Sequence, residues 1–261
     1  MTSVSWKILP PRWSKPFRET QDNLDLMLNF GKQQVEKAKS KFASNPESHE
    51  MSVLQKMILR NGPESTYPLV MAIDMIFAGI DTTGNTLSFL MYNLATNPDK
   101  QEKLRKECQK FGKNLTVKDL NEVRYLKACI QETLRLTPTI MLNLRIIAED
   151  MQLHGYLIPK GTLVTWNYML FQETFKDYDK FIPERWIENK KEICPHAARQ
   201  FSHGPRMCIG KRFAELEFLL AMHKMVTNFE IEWVNPEPLT LSQVFVNVPD
   251  QRMDFRFKDL K

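Results

Sequence analysis

Apolar residues recur at helical intervals through the first half of this 261-residue chain and give way to short alternating runs near residue 144. After a proline-rich entry (Pro10, Pro11, Pro16), Leu24, Met27, Leu28 and Val35 fall near a 3.6-residue period with lysines opposite, predicting an amphipathic surface helix over residues 20–41. A short helix is predicted over 53–59, stopped by Asn61-Gly62-Pro63. The longest apolar stretch, 69–94, belongs to a helix predicted over 67–96 and ended by Asn97-Pro98. It contains Asp74, Asp81, Asn85 and two glycines, which are costly in lipid, so a buried core helix is expected.

A mixed-charge helix is predicted over 99–111, and Thr116-Val117-Lys118-Asp119 reads as a capping signal leading towards a helix over 125–136. Between 144 and 164 the pattern becomes short β-like runs, with turns at His154-Gly155-Tyr156 and Pro159-Lys160-Gly161. An irregular stretch follows to about 204, then a helix over 209–228 and a strand-like tail over 230–257. The fold class expected is mainly α with a small β-sheet. No internal repeat, low-complexity tract or interdomain linker is visible, so residues 1–261 read as a single unit.

With 43% apolar and 26% charged residues the chain can bury a large core, and nothing marks it as disordered or collagen-like. A net charge of +5 is modest, and no zinc-finger spacing, RNA-binding aromatic pattern or phosphate-cradling glycine loop points to nucleic acid; an acidic protein partner suits it better. Cys108, Cys129, Cys194 and Cys208 are widely spaced, which argues against a disulfide framework or a zinc site and for a reducing compartment. The first six residues lack the charge and apolar length of a targeting segment.

One stretch concentrates chemistry: Phe201-Ser202-His203-Gly204-Pro205-Arg206-Met207-Cys208-Ile209-Gly210 places an aromatic, two glycines, an arginine and a cysteine just before a helix. Three other elements precede it. Ala78-Gly79-Ile80-Asp81-Thr82-Thr83 interrupts the apolar helix, Glu132-Thr133-Leu134-Arg135 closes a later one, and Pro183-Glu184-Arg185-Trp186 lies between that helix and the cysteine. Together the four resemble the cytochrome P450 family: every fixed position of F-x-x-G-x-R-x-C-x-G is matched, while Trp186 stands where the family more often has phenylalanine. The resemblance runs from about Trp6 to the C-terminus.

The resemblance implies a haem-thiolate monooxygenase that inserts one oxygen atom from O2 into a small apolar organic substrate, steroid-like, lipid or xenobiotic. The cofactor implied is haem b, with Cys208 as the axial thiolate ligand of its iron and Arg206 and Arg145 meeting its propionates. Phe201, Gly210, Ala78 and Gly79 would shape the haem site; Gly204 and Gly210 would permit a tight backbone. Thr82 would bond the oxygen or its water, and Asp81 would relay protons, the main alternative being a hydroxyl bonded back to its own helix. Glu132, Arg135 and Arg185 would form a buried network supporting the cysteine loop. Phe77, residues 139–143 including Met141, Phe245 and Val246 would contact substrate. Cys108, Cys129 and Cys194 read as small buried hydrophobes.

Lys127, Lys211 and Arg212 are similar to the mitochondrial branch, whose basic residues engage an acidic ferredoxin; Gln131 stands where a second lysine is expected, and a flavoprotein reductase is the alternative donor. A mitochondrial, inner-membrane-associated location is implied, with the endoplasmic reticulum as the alternative. Members of the family are roughly twice this long, so the chain is expected to represent the C-terminal, haem-binding half of one domain, with any membrane association lying in the other half. A truncated, non-catalytic haem-binding fragment is the competing reading. A peroxide-rearranging relative is a third, and the Asp81-Thr82 pair argues against it.

Overall fold

The computed structural model describes residues 15–44, 51–188, 193, 199–243 and 246–260. These divide between two compact units, Met1–Ala78 and Gly79–Lys261. In the first unit, α1 (Lys15–Ser44) packs against α2 (Val53–Asn61). Helix α1 starts five residues before the predicted position because Pro16 occupies its first turn, where a missing N–H removes no helical bond. Val35 and Ala38 are buried with Ile58 of α2, whereas Leu24 and Leu28 are exposed, so the expected apolar stripe is covered only at its C-terminal end. Ser52 and Gln55 form a reciprocal capping box at the start of α2 (2.8 and 3.2 Å), and Gly62, at φ 86°, ends that helix.

Helix α3 (Tyr67–Ala95) contains the long apolar run. The expectation of a wholly buried helix is corrected: Phe77 and Ile80 are 67% and 64% exposed, while Phe89, Leu90 and Leu94 have no exposure. The reason is where packing partners lie. In the second unit, Leu90 and Leu94 are sealed by Leu104 of α4 (Pro98–Cys108), Leu126 of α5 (Arg124–Leu136) and Met222 of α6 (Lys211–Asn228). The capping signal before α5 is present, with the Thr116 N–H donating to Asp119 at 2.7 Å ahead of a 3-10 turn at Asp119–Asn121.

Among the described residues the strands pair as four two-stranded antiparallel sheets. β1 (Leu142–Ile146) runs against β4 (Leu163–Asn167), with Asn143 opposite Trp166 and Arg145 opposite Val164. β2 (Met151–Leu153) and β3 (Tyr156–Ile158) form a hairpin whose two loop residues, His154 and Gly155, both have positive φ, the geometry that matches strand twist. β5 (Phe229–Trp233) pairs with β8 (Phe255–Asp259), and β6 (Leu241–Gln243) with β7 (Asn247–Pro249). The fold is therefore mainly α with small sheets, as the pattern predicts.

Candidate functional site

The cysteine loop is shaped by two left-handed residues, Ser202 at φ 64° and Gly204 at φ 77°. A 3-10 turn over Gly204–Arg206 follows, closed by the Met207 N–H on the Gly204 carbonyl at 3.0 Å. The Cys208 N–H then donates back to the Phe201 carbonyl at 3.0 Å, and α6 begins three residues on. This presents the Cys208 thiol to solvent between Met207 and Ile209, which are 47% and 68% exposed. Gly204 needs its glycine for the positive φ. Gly210 does not: its backbone is ordinary right-handed helix, and an added Cβ would lie 3.9 Å from the Cys208 Sγ, a normal contact.

Phe201 packs against the core beneath the loop, with the Lys211 ammonium 5.8 Å from its ring centre. Arg206 is exposed on the 3-10 turn. Arg145 lies within β1 and reaches the loop: its Nη2 donates to Ser202 Oγ at 2.8 Å, and its guanidinium lies 5.3 Å over the Trp166 ring. Two of the arginines singled out in the sequence therefore stand on or against the cysteine loop.

Between α5 and segment 176–186 lies a buried charge network. Glu132 is fully buried, and its carboxylate accepts from Arg135 Nε and Nη2 (2.9 and 2.8 Å), Arg185 Nε (3.0 Å), Trp186 Nε1 (2.8 Å) and the Ile182 N–H (2.9 Å). Every guanidinium nitrogen of the two arginines is engaged. Arg135 donates to the Tyr178 and Lys180 carbonyls and Arg185 to those of Lys176 and Asp177, while the Phe175 ring lies 5.1 and 5.8 Å from the two guanidinium carbons. Such satisfaction is what a buried ion cluster requires. It fastens the irregular segment 176–186 onto α5.

On α3, Ala78 belongs to the first unit and Gly79, Asp81 and Thr82 to the second. Asp81 is exposed and not buried in an apolar helix interior, and Thr82 is half-buried. One turn on, Thr86 donates to the Thr82 carbonyl at 2.7 Å and shares a buried 2.8 Å hydrogen bond with Thr139. The Thr139 carbonyl accepts the Asn247 N–H at 2.8 Å, and Asn247 Nδ2 donates to the Pro138 carbonyl at 2.6 Å. Met141 and Val246 are thereby held in neighbouring segments, both half-buried. Phe77 is exposed in the first unit, and Phe245 lies outside the described residues. Sequence reasoning missed Thr86 and Asn247. Thr86 carried a signal, because a hydroxyl four residues after Thr82 shares its helix face; Asn247 carried none.

Lys127, Gln131, Lys211 and Arg212 line one hollow of about 470 Å³ beside the cysteine loop, over a floor that includes Ile130 and Phe201. Burial, then the neighbouring Glu107 charge, pushes the Cys108 thiol up to about 12, and burial raises Cys129 as well. Both are buried and free, as the sequence predicts; Cys194 lies outside the described residues. Among the described residues no cluster of three or more His, Cys, Asp or Glu side chains is arranged to hold a metal, and no helix is long and apolar enough to cross a membrane.

The sequence model of the cytochrome P450 family matches residues 2–253. Among curated proteins, the chain is 34% identical to cytochrome P450 CYP12A2 of Musca domestica over 98% of its own length and 51% of that protein. Similarity to a probable mitochondrial cytochrome P450 12a5 of Drosophila melanogaster is also 34%, over 87% of this chain and 45% of that one. The mitochondrial 1,25-dihydroxyvitamin D(3) 24-hydroxylase of Mus musculus is 35% identical over 70% of this chain and 37% of its own. The chain spans about half the length of the insect relatives it matches.

Proposed function

The chain belongs to the cytochrome P450 family, and from that premise we propose that residues 1–261 form the haem-binding portion of a haem-thiolate monooxygenase. The observation that carries this reading is the Cys208 loop: an exposed thiol between uncovered apolar side chains, with Arg145 tied to the same loop. The family implies a haem iron cofactor, and these residues suit a flat apolar macrocycle that offers a metal on one face and two carboxylates at its rim. When bound, that group supplies reductive activation of O2 for insertion of one oxygen atom into an apolar substrate.

The chain's own residues divide the remaining work. Cys208 would hold the iron as an anionic ligand from the loop that leads into α6. Arg145 and Arg206 hold the propionates, which a planar, permanently charged fork suits well. Phe201 and Gly210 form the loop side of the site, and Gly79 leaves room on α3. Thr82 would present a hydroxyl to the site, and exposed Asp81 would pass protons from solvent towards that hydroxyl. Glu132, Arg135 and Arg185 support the loop's surroundings and take no part in proton transfer. Met141 and Val246 contribute to an apolar substrate wall.

For electrons, the basic rim formed by Lys127, Lys211 and Arg212 favours an acidic ferredoxin-type donor. The mitochondrial names of several relatives support that partner and a mitochondrial location. A competing reading, a fragment that binds haem without turnover, is favoured by the exposure of Ile80 on α3.

The test is a reduced, carbon monoxide difference spectrum of the full chain loaded with haem. A strongly red-shifted thiolate Soret band that Cys208→Ser abolishes is expected; soluble, folded protein without the band overturns the reading. Turnover of an apolar substrate with ferredoxin and ferredoxin reductase separates enzyme from fragment.

A further inference from the structure

Five residues close a ring of hydrogen bonds between the β1–β4 sheet and the cysteine loop. Asn143 Nδ2 donates to the Tyr168 hydroxyl at 2.7 Å, and that hydroxyl donates to the Arg199 carbonyl. The same carbonyl accepts the Ser202 N–H at 2.8 Å, and Ser202 Oγ accepts from Arg145 Nη2 at 2.8 Å. Arg145 and Asn143, two residues apart on β1, point to the same face of the strand and complete the circuit.

We infer that Tyr168 is a positioning residue for Cys208, holding the entry of its loop against the sheet that carries Arg145. Its side chain is well placed to do so. Tyr168 is 3% exposed, its N–H is held by the Met141 carbonyl at 2.9 Å, and its hydroxyl uses its one proton and one lone pair within the ring. From Arg199 the path to the cysteine is short: Ser202 is anchored at both N–H and Oγ, and Phe201 beside it accepts the Cys208 N–H at 3.0 Å. Ser202 adds an independent sign of constraint. A non-glycine residue at φ 64° persists only where its surroundings over-determine it, and its N–H and Oγ are both engaged here.

The geometry stands without any cofactor; its consequence for a metal-bound thiolate rests on the haem-thiolate reading. The test therefore has two arms. In the first, amide hydrogen exchange is measured on the full chain without haem, for wild type, Tyr168→Phe, Asn143→Ala and, as a control, Tyr156→Phe at an exposed tyrosine. The Ser202 and Cys208 amides are expected to exchange about tenfold faster in Tyr168→Phe and Asn143→Ala, the scale of one lost buried hydrogen bond, with amides of α5 unchanged. In the second arm, the haem-loaded, reduced, carbon monoxide-bound Tyr168→Phe chain is expected to convert from the thiolate to the thiol type of Soret band faster than wild type. Unchanged exchange at Ser202 and Cys208 in both ring variants overturns the inference. Should Tyr168→Phe fail to fold, Asn143→Ala, which leaves the tyrosine ring in place, decides it. Absence of the thiolate band in wild type would overturn the haem-thiolate reading, and the exchange arm would still decide the role of Tyr168.

Discussion

Arg135 grips Glu132 through two parallel hydrogen bonds of 2.9 and 2.8 Å, three residues apart on α5, with 1% and 0% of the two side chains exposed. On an open helix face that spacing yields a weak, screened pair. Here Arg185, Trp186 and the Ile182 N–H converge on the same carboxylate from 50 or more residues away.

Truncating one member leaves an uncompensated buried charge, so Arg135→Ala should cost about 3–5 kcal/mol, read as a lowered urea midpoint. Glu132→Gln should be comparably damaging because two guanidinium groups then lack their anion. A loss below about 1 kcal/mol in both variants would show that the cluster does not hold α5 to segment 176–186.

Glu184 couples stability to acid. Burial pushes its carboxyl up, but hydrogen bonds from Lys103, its own N–H and Tyr125, with the charge of Lys100, outweigh this and bring it down to about 2, from an ordinary 4.5. Between those values the unfolded chain binds the proton and the folded chain does not. The contribution is therefore complete above pH 4.5 and is lost as pH falls towards about 2. Glu184→Gln should flatten this part of the acid limb in a plot of Tm against pH, and an unchanged slope would refute the assignment.

Thr86 and Thr139 share a buried 2.8 Å hydrogen bond. Thr86→Val strands the buried Thr139 hydroxyl, at about 1–3 kcal/mol, whereas Thr139→Val leaves Thr86 donating to the Thr82 carbonyl and should cost less, and the double variant should recover part of the Thr86→Val loss. A double-mutant cycle by chemical denaturation measures this coupling; additive losses would show that the two hydroxyls act independently.

In the first unit, Gly31 of α1 allows a close helix crossing. A Cβ built there would lie 2.9 Å from both Ile73 Cγ1 and Leu69 Cδ1, closer than carbon atoms tolerate. Gly31→Val should destabilise this unit by about 1–3 kcal/mol through overpacking. Limited proteolysis within α1 should accelerate, while α5 and α6 keep their protection.

Much of the site was legible because its parts are local. Cys208, Gly204 and Arg206 sit within five residues of one another, and Glu132 and Arg135 share a helix face by spacing alone. The assignment of Arg185 to their network came from the family resemblance, not from spacing, and the geometry accords with it. Readings that depended on burial fared less well. The run over 69–94 looked uniformly buried, yet its exposure changes from 64% at Ile80 to none at Phe89, because hydrophobicity does not say which neighbours arrive.

The sequence by itself determined the helices, the hairpin turns, the two free buried cysteines and the composition of the cysteine loop, since each follows from periodicity, a positive-φ requirement or a motif within a few residues. Only the tertiary structure decided that Arg145 reaches Ser202, that Tyr168 bridges Asn143 and Arg199, and that Thr86 meets Thr139 and Asn247 closes on Pro138. These are single hydrogen bonds between segments 25 to 109 residues apart. Their directionality demands an exact placement of both partners, which the packed core supplies and which leaves no periodic trace along the chain.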